Sequence, residues 1–185
     1  MQKIITKKQF FKNKKEFIKK INQGSIFIYP TDTIYGIGCI LNKNSIEKIK
    51  KIKHRTNKPF SIIIPSKKWA LKNCKYSENL KKYLKKLPGK YTLISELKNK
   101  KLSPNKNIST IGIRIPKHWI SKIVRELNLP IITTSVNISN KPHMTALRNL
   151  DRTIKSKVDF IIYEGFLNKK PSKIINLISN TIVKR

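Results

Sequence analysis

Apolar residues along this chain come in short blocks whose spacing switches between three-to-four and two, the periods of helix and strand. Residues 8–22 carry Phe10, Phe11, Phe17, Ile18 and Ile21 among lysines, which predicts one helix stopped by Gly24. Ser25 to Tyr29 predicts a strand ending at Pro30. In "SIEKIKKIKHR", Ile46, Ile49 and Ile52 stand three apart, with Ser45 as the candidate N-cap. "FSIIIP" predicts a strand, and "SENLKKYLKKLPG" a helix with Leu80, Tyr83, Leu84 and Leu87 on one face. "YTLISEL" alternates, as does "STIGIRIP", with Ile111, Ile113 and Ile115 on one face and Thr110, Gly112 and Arg114 on the other. A helix at "WISKIVRELN", a strand at "IITTSVN" and a helix at "TALRNLDRTI" follow, then closing strands at "DFIIYEG", "KIINLIS" and "TIVKR". Strands alternate with helices and then follow one another, so the expected fold class is α/β with a mixed sheet rather than a purely parallel one.

The 185 residues suit a single domain spanning 1–185, and a hydrophobic fraction of 38% is enough for a core. Charge is the outlier: 42 Lys plus Arg against 9 Asp plus Glu, a net +33. That excess favours polyanionic partners such as RNA, DNA or nucleotides. Lys, Ile and Asn are abundant together along the whole chain, as AT-rich coding also produces, so charge alone identifies no partner. Cys39 and Cys74 form no metal or redox motif and read as buried thiols of a reducing compartment. No apolar run reaches the ~18 residues of a membrane span. The N-terminus has lysines but no secretory apolar core, so a cytoplasmic location is expected.

The familiar phosphate loops GxxxxGK[ST] and GxGxxG are absent, and so is a GxSxG elbow. His54, His118 and His143 make no metal-binding set, and the acids are too few for a carboxylate dyad or an all-protein metal cage; no metal ligands are expected. What remains are polar clusters at strand ends: Thr31-Asp32-Thr33, "KHRTNKPFS" from Lys53 to Ser61, Thr110 with Arg114, and "TTSVNIS" from Thr133 to Ser139. Ligands collect beyond such ends in open α/β sheets. Lys53 and Arg55 are too close in sequence to share a helical face, but both reach one anion if the helix stops between them. Arg114, on a strand flanked by isoleucines, calls for a specific acidic partner.

In order along the chain stand "PTDTIYGIG", "KHRTNKPF", "LPGKYT", "GIRIP", "SVNISN" and "PSKIINL". This series resembles the YrdC-like family of L-threonylcarbamoyl-AMP synthases over nearly the whole chain, in the short form without an extra C-terminal domain. Thr56, Val136 and Asn140 replace a Pro, an Ala and a Gly of the family pattern, and Pro171 and Lys173 depart from its late Glu-Ser-Thr block. The resemblance implies a YrdC-like twisted mixed β-sheet with flanking helices around a deep basic cavity. It implies a nucleotidyltransferase that joins L-threonine, bicarbonate and ATP into threonylcarbamoyl-AMP and pyrophosphate. Transfer proteins then carry the group to position 37 of tRNAs reading A-starting codons, and tRNA itself joins the expected partners.

By match to the family blocks, Lys53, Arg55, Ser135 and Asn137 are the expected catalytic and phosphate-binding groups. Thr110, His143 and Arg185 join them on the nucleotide. Thr31, Arg114, Thr133 and Ser172 are the expected threonine ligands, with Mg²⁺ held mainly by the phosphates. Gly36 and Gly38 would let backbone pass close to a ligand or a neighbouring strand. Two other readings stay open: a non-catalytic tRNA or double-stranded-RNA-binding module, and a carbamoyl-phosphate-dependent enzyme like those of hydrogenase maturation, which carry zinc-finger and acylphosphatase parts absent here.

Overall fold

Ten short strands join edge to edge in the computed structural model, which describes residues 3–55, 59–105 and 108–183. In chain order they are β1 (Lys3–Ile5), β2 (Phe27–Tyr29), β3 (Gly36–Gly38), β4 (Ser61–Ile63), β5 (Tyr91–Glu96), β6 (Thr110–Arg114), β7 (Ile131–Ser135), β8 (Phe160–Ile162), β9 (Lys173–Asn176) and β10 (Thr181–Val183). Their spatial order is β1-β8-β2-β3-β7-β4-β6-β5-β9-β10. Four neighbouring pairs are parallel (β1·β8, β2·β8, β4·β6, β5·β9) and the other five antiparallel, so the sheet is mixed, as expected. The helices are α1 (Lys7–Lys12), α2 (Lys14–Asn22), α3 (Lys43–Lys53), α4 (Lys67–Asn73), α5 (Glu78–Leu84), α6 (Ile120–Leu127) and α7 (Arg152–Lys157).

Alternation along the strands decides where the core ends and a hollow begins. On one face Ile28, Ile37, Ile62, Leu93, Ile113, Ile132 and Ile175 pack under α3, α4, α5 and α7. On the other face Phe27, Tyr29, Ile63, Ile131 and Phe160 pack under α1, α2 and α6. That second helical layer covers only the β1-β8-β2 side of the sheet and the neighbouring ends of β4 and β7. Beyond it, the second-face positions of β4, β5, β6, β7 and β9 open into a cavity.

Several sequence expectations need correction. The helix expected over 8–22 is two helices broken at Asn13, the first closed by a reciprocal cap between Thr6 and Gln9. Asn42, not Ser45, caps α3 by accepting the Ser45 N–H at 2.7 Å; Ser45 lies inside the helix and donates its hydroxyl to Gly24 O. The helix expected from Thr145 begins only at Arg152, because Asp151 caps it by accepting the N–H groups of Thr153 and Ile154. Strands β1 and β3 and helix α4 are additional. Gly36 and Gly38 sit inside β3, where the close approach is to protein. A Cβ on Gly38 would stand 2.1 Å from the Ile132 carbonyl oxygen, and one on Gly36 would stand 2.9 Å from the Tyr29 ring. Both cysteines are buried free thiols.

Candidate functional site

The cavity is about 490 Å³. Its floor is the second face of the sheet: Ser61 of β4, Thr92 and Ile94 of β5, Thr110, Gly112 and Arg114 of β6, and Thr133 and Ser135 of β7. Its rim comes from the end of α3, the loop 137–143 after β7, and Pro171-Ser172 before β9. Every described residue expected at the site lines this one cavity: Lys53, Arg55, Ser135 and Asn137; Thr31, Arg114, Thr133 and Ser172; Thr110 and His143. Arg185 and Thr56 lie outside the described residues. Of the Thr-Asp-Thr segment only Thr31 reaches the cavity.

One end is built where α3 stops. His54 takes a left-handed conformation, φ 49°, and terminates the helix. The reversal lets Lys53, the last helical residue, and Arg55 face the same space. Lys53 is 1% exposed. Its ammonium donates to the backbone oxygens of Ser135 and Asn137, the latter at 2.6 Å, and to Asn137 Oδ1 at 3.3 Å. Three N–H donors thus meet three oxygens, while burial, and then the charge of Arg55, pull Lys53 down to about 7. Ser135 donates its hydroxyl to Asn137 Oδ1, and Asn137 Nδ2 donates to Ile138 O and Lys141 O, which folds the loop over the strand end. Asn140 in that loop has φ 68°, the left-handed conformation that a glycine would take without strain. Arg55 lies across the Phe60 ring, 4.7 Å from its centroid, and donates to Thr134 Oγ1 at 3.1 Å and to Pro59 O.

The other end centres on Arg114. Its guanidinium donates to Asp32 Oδ1 at 2.9 Å and to Thr33 Oγ1 at 3.4 Å. Asp32 Oδ2 accepts the Lys117 N–H at 2.9 Å, so one carboxylate ties the β2–β3 turn to the chain leaving β6. Both side chains of the pair are 8% exposed. The acidic partner demanded by Arg114 is therefore internal, and it belongs to the same motif as Thr31. Thr31 shapes the turn itself: its hydroxyl donates to Ile34 O and accepts the Thr33 N–H. Across the cavity Ser172 and Thr92 share a hydroxyl contact of 2.8 Å, both almost wholly buried. His143 presents a buried Nε2 with no hydrogen-bond partner at the cavity wall.

Sequence reading missed Thr92, Thr134, Ser61, Phe60 and Tyr35, all of which line the cavity. Thr92 carried a signal, as the closing residue of "LPGKYT"; Tyr35, Phe60, Ser61 and Thr134 lie within the quoted stretches but were given no role there. All nine acidic residues fall within the described part of the chain, and none lines the cavity. Glu16, Glu47, Glu96 and Glu126 pair with lysines, and Glu78 accepts from Tyr76. Asp151 caps α7, Asp159 accepts the Ile26 N–H, and Glu164 holds His118 and Trp119. Asp32 faces a separate hollow behind the Thr31–Tyr35 wall, with Lys117 and His118. The described residues contain no cluster of three or more His, Cys, Asp or Glu able to hold a metal ion. No described helix is long and apolar enough to cross a membrane. The cavity is thus a cationic, hydroxyl-lined space suited to an anionic ligand with a carboxylate or phosphate at either end.

Comparison with known proteins bears on this geometry. The family model Sua5_yciO_yrdC, described as telomere recombination, matches residues 19–185. A Methanocaldococcus jannaschii protein named "Putative threonylcarbamoyl-AMP synthase" is 40% identical over 175 residues, 91% of this chain and 82% of that protein. "Uncharacterized protein YciO" of Escherichia coli K12 is 29% identical over 175 residues, 90% of this chain and 84% of that one. The crystal structure of P. abyssi Sua5 complexed with L-threonine superposes with a TM-score of 0.83 at 25% identity, covering 100% of this chain and 56% of that chain. This chain therefore spans little more than half of that Sua5 and most of the length of the two sequence relatives. With its mixed sheet, its ordered motifs and this match, the chain belongs to the Sua5/YciO/YrdC family.

Proposed function

We propose that this chain is a cytoplasmic, single-domain L-threonylcarbamoyladenylate synthase, converting L-threonine, bicarbonate and ATP into threonylcarbamoyl-AMP and pyrophosphate. The observation that carries this reading is convergence. Residues from six separate motifs, 31 to 172 in the chain, line one cavity that holds several cations and no acid. The relative named for this activity and the Sua5 complex with L-threonine support it.

The reaction needs no protein nucleophile. Bicarbonate takes up a proton and loses water to give CO₂, and the amine of threonine adds to that CO₂, giving a carbamate and a proton. A carbamate oxygen then forms a bond to the α-phosphorus of ATP while the bond to pyrophosphate breaks. The chain's part is to hold two anionic reactants together and to stabilise charge on the phosphate oxygens. Arg55, fixed by Phe60 and Thr134, faces the phosphates, with Ser135, Asn137, Thr110 and His143 around the nucleotide. Lys53 supplies charge and holds the loop that carries Ser135 and Asn137. Arg114 meets the threonine carboxylate, flanked by Thr31, Thr133 and Ser172. Mg²⁺ would be held mainly by the phosphates of ATP, since no described carboxylate lines the cavity. The product goes to transfer proteins that act at position 37 of tRNAs reading A-starting codons.

The test is pyrophosphate release by the isolated chain. Release that requires both L-threonine and bicarbonate supports the reading. Release indifferent to either sinks it. A chain that makes no adenylate but holds RNA with a steep salt dependence is instead a binding module.

A further inference from the structure

The cavity presents an amino acid with an unusual balance of charge. A free amino acid near neutral pH is a zwitterion, and its ammonium ordinarily meets a carboxylate when it is buried. Here none of the nine acids lines the cavity, whereas Lys53, Arg55, Arg114 and Lys141 all do. Asp32, the acid that reaches this region, has one oxygen on Arg114 and the other on the Lys117 N–H, and it opens to the other hollow. What remains to accept is neutral. The carbonyls of Ser135 and Asn137 take the Lys53 protons, and the hydroxyls of Thr31 and Ser135, which donate to Ile34 O and Asn137 Oδ1, offer an ammonium lone pairs but no charge. With Arg114 balanced by Asp32, an ammonium placed here still faces Lys53 and Arg55 and, among the described residues, finds no carboxylate of its own, which favours its neutral form.

We propose that the cavity takes its amino-acid substrate with the amine uncharged, as the amino-carboxylate anion, and that seating the zwitterion releases one proton to solvent. The inference rests on the reading above that an amino-acid carboxylate occupies the Arg114 end. It gives the absence of acids a function. The N–H bond that breaks leaves its electron pair on nitrogen, which is the pair that forms the bond to CO₂. The site thus prepares the nucleophile by field alone, without a residue dedicated as base.

The experiment is titration calorimetry of the full chain near pH 7 in two buffers of different ionisation enthalpy, which counts protons exchanged on binding. L-Threonine is compared with the 2,3-dihydroxybutanoate of the same configuration, whose 2-hydroxyl replaces the amine. Any proton movement on the protein is common to both ligands and cancels. The expected result is about one more proton released with threonine, and a hydroxy acid that binds at least as tightly. Equal proton counts overturn the inference, as does a hydroxy acid that fails to bind where threonine binds. If L-threonine itself does not bind, the threonine reading falls and takes this inference with it. If threonine binds and supports pyrophosphate release with equal proton counts, only the inference falls.

Discussion

The two ends of the cavity handle buried cations in opposite ways. At the α3 end, Lys53 is surrounded by neutral oxygens and Arg55 by a hydroxyl, a carbonyl and an aromatic ring. Among the described residues, no carboxylate lines that end of the cavity. At the β6 end, Arg114 has a full counter-charge in Asp32, as buried as itself. A pair of cations set among neutral groups holds its field for a polyanion such as a triphosphate. A compensated guanidinium is fixed in direction and adds little net charge, which suits one carboxylate. One fold therefore grades its electrostatics across a single hollow, strong at one end and directional at the other.

The comparison can be broken most forcefully at Asp32. Asp32→Asn leaves Arg114 buried without its counter-ion, and the expected cost is about 3–5 kcal/mol of stability, read from denaturant unfolding. An unchanged midpoint would mean that the β6 end is no more balanced than the other. Next comes Arg55→Ala, which should lower kcat/KM for pyrophosphate release by about 10²-fold or more through lost charge stabilisation of the phosphates. Turnover like that of the wild type would remove Arg55 from the chemistry. Arg114→Lys keeps the charge and loses the planar fork, so the KM for threonine should rise roughly tenfold with a smaller change for ATP. Equal losses for both ligands would erase the distinction between the ends.

The smallest effect is a pH dependence at Lys53. With its pKa pulled from 10.5 to about 7, Lys53 is half charged near neutrality. ATP binding that needs the cation should weaken about fivefold between pH 7 and 8, and Lys53→Met should flatten that profile. Without ligand, the unfolded chain keeps a proton that the folded chain gives up between about 7 and 10.5, so folding stability from this group rises with pH across that window. A binding profile that is flat over pH 7–8 in the unmodified chain would mean Lys53 acts only as a tether for the loop.

Much of the site was legible because its strands alternate. The isoleucines of β6 announced which face is core, and so put Thr110, Gly112 and Arg114 on the open face. The convergence of Lys53 and Arg55 followed from helix geometry, needing only the stop that His54 provides. The pairing of Arg114 with Asp32 was half visible: an acidic partner was demanded and Asp32 was the acid inside a motif, but 82 residues separate them and nothing local joins them. Strand β3 was hidden because two of its three residues are glycines, which carry no side-chain pattern. The break at Asn13 and the late start of α7 depend on capping geometry that apolar periodicity does not encode. The acid-free lining could not be read at all, since it is a property of where nine scattered residues end up.

The place of β7 in the middle of the sheet carries one more consequence. This strand pairs with β3 on one side and β4 on the other, both antiparallel, and its last residue, Ser135, stands beside Gly36 across the first pairing. The chain must therefore deliver residues 36, 61 and 135 to adjacent rungs before any hollow exists. Such long loop closures make for slow folding. Ligand affinity and completion of the sheet are then one event, so recovery of ATP binding during refolding should track the final ladder-forming phase and not the earlier appearance of helix.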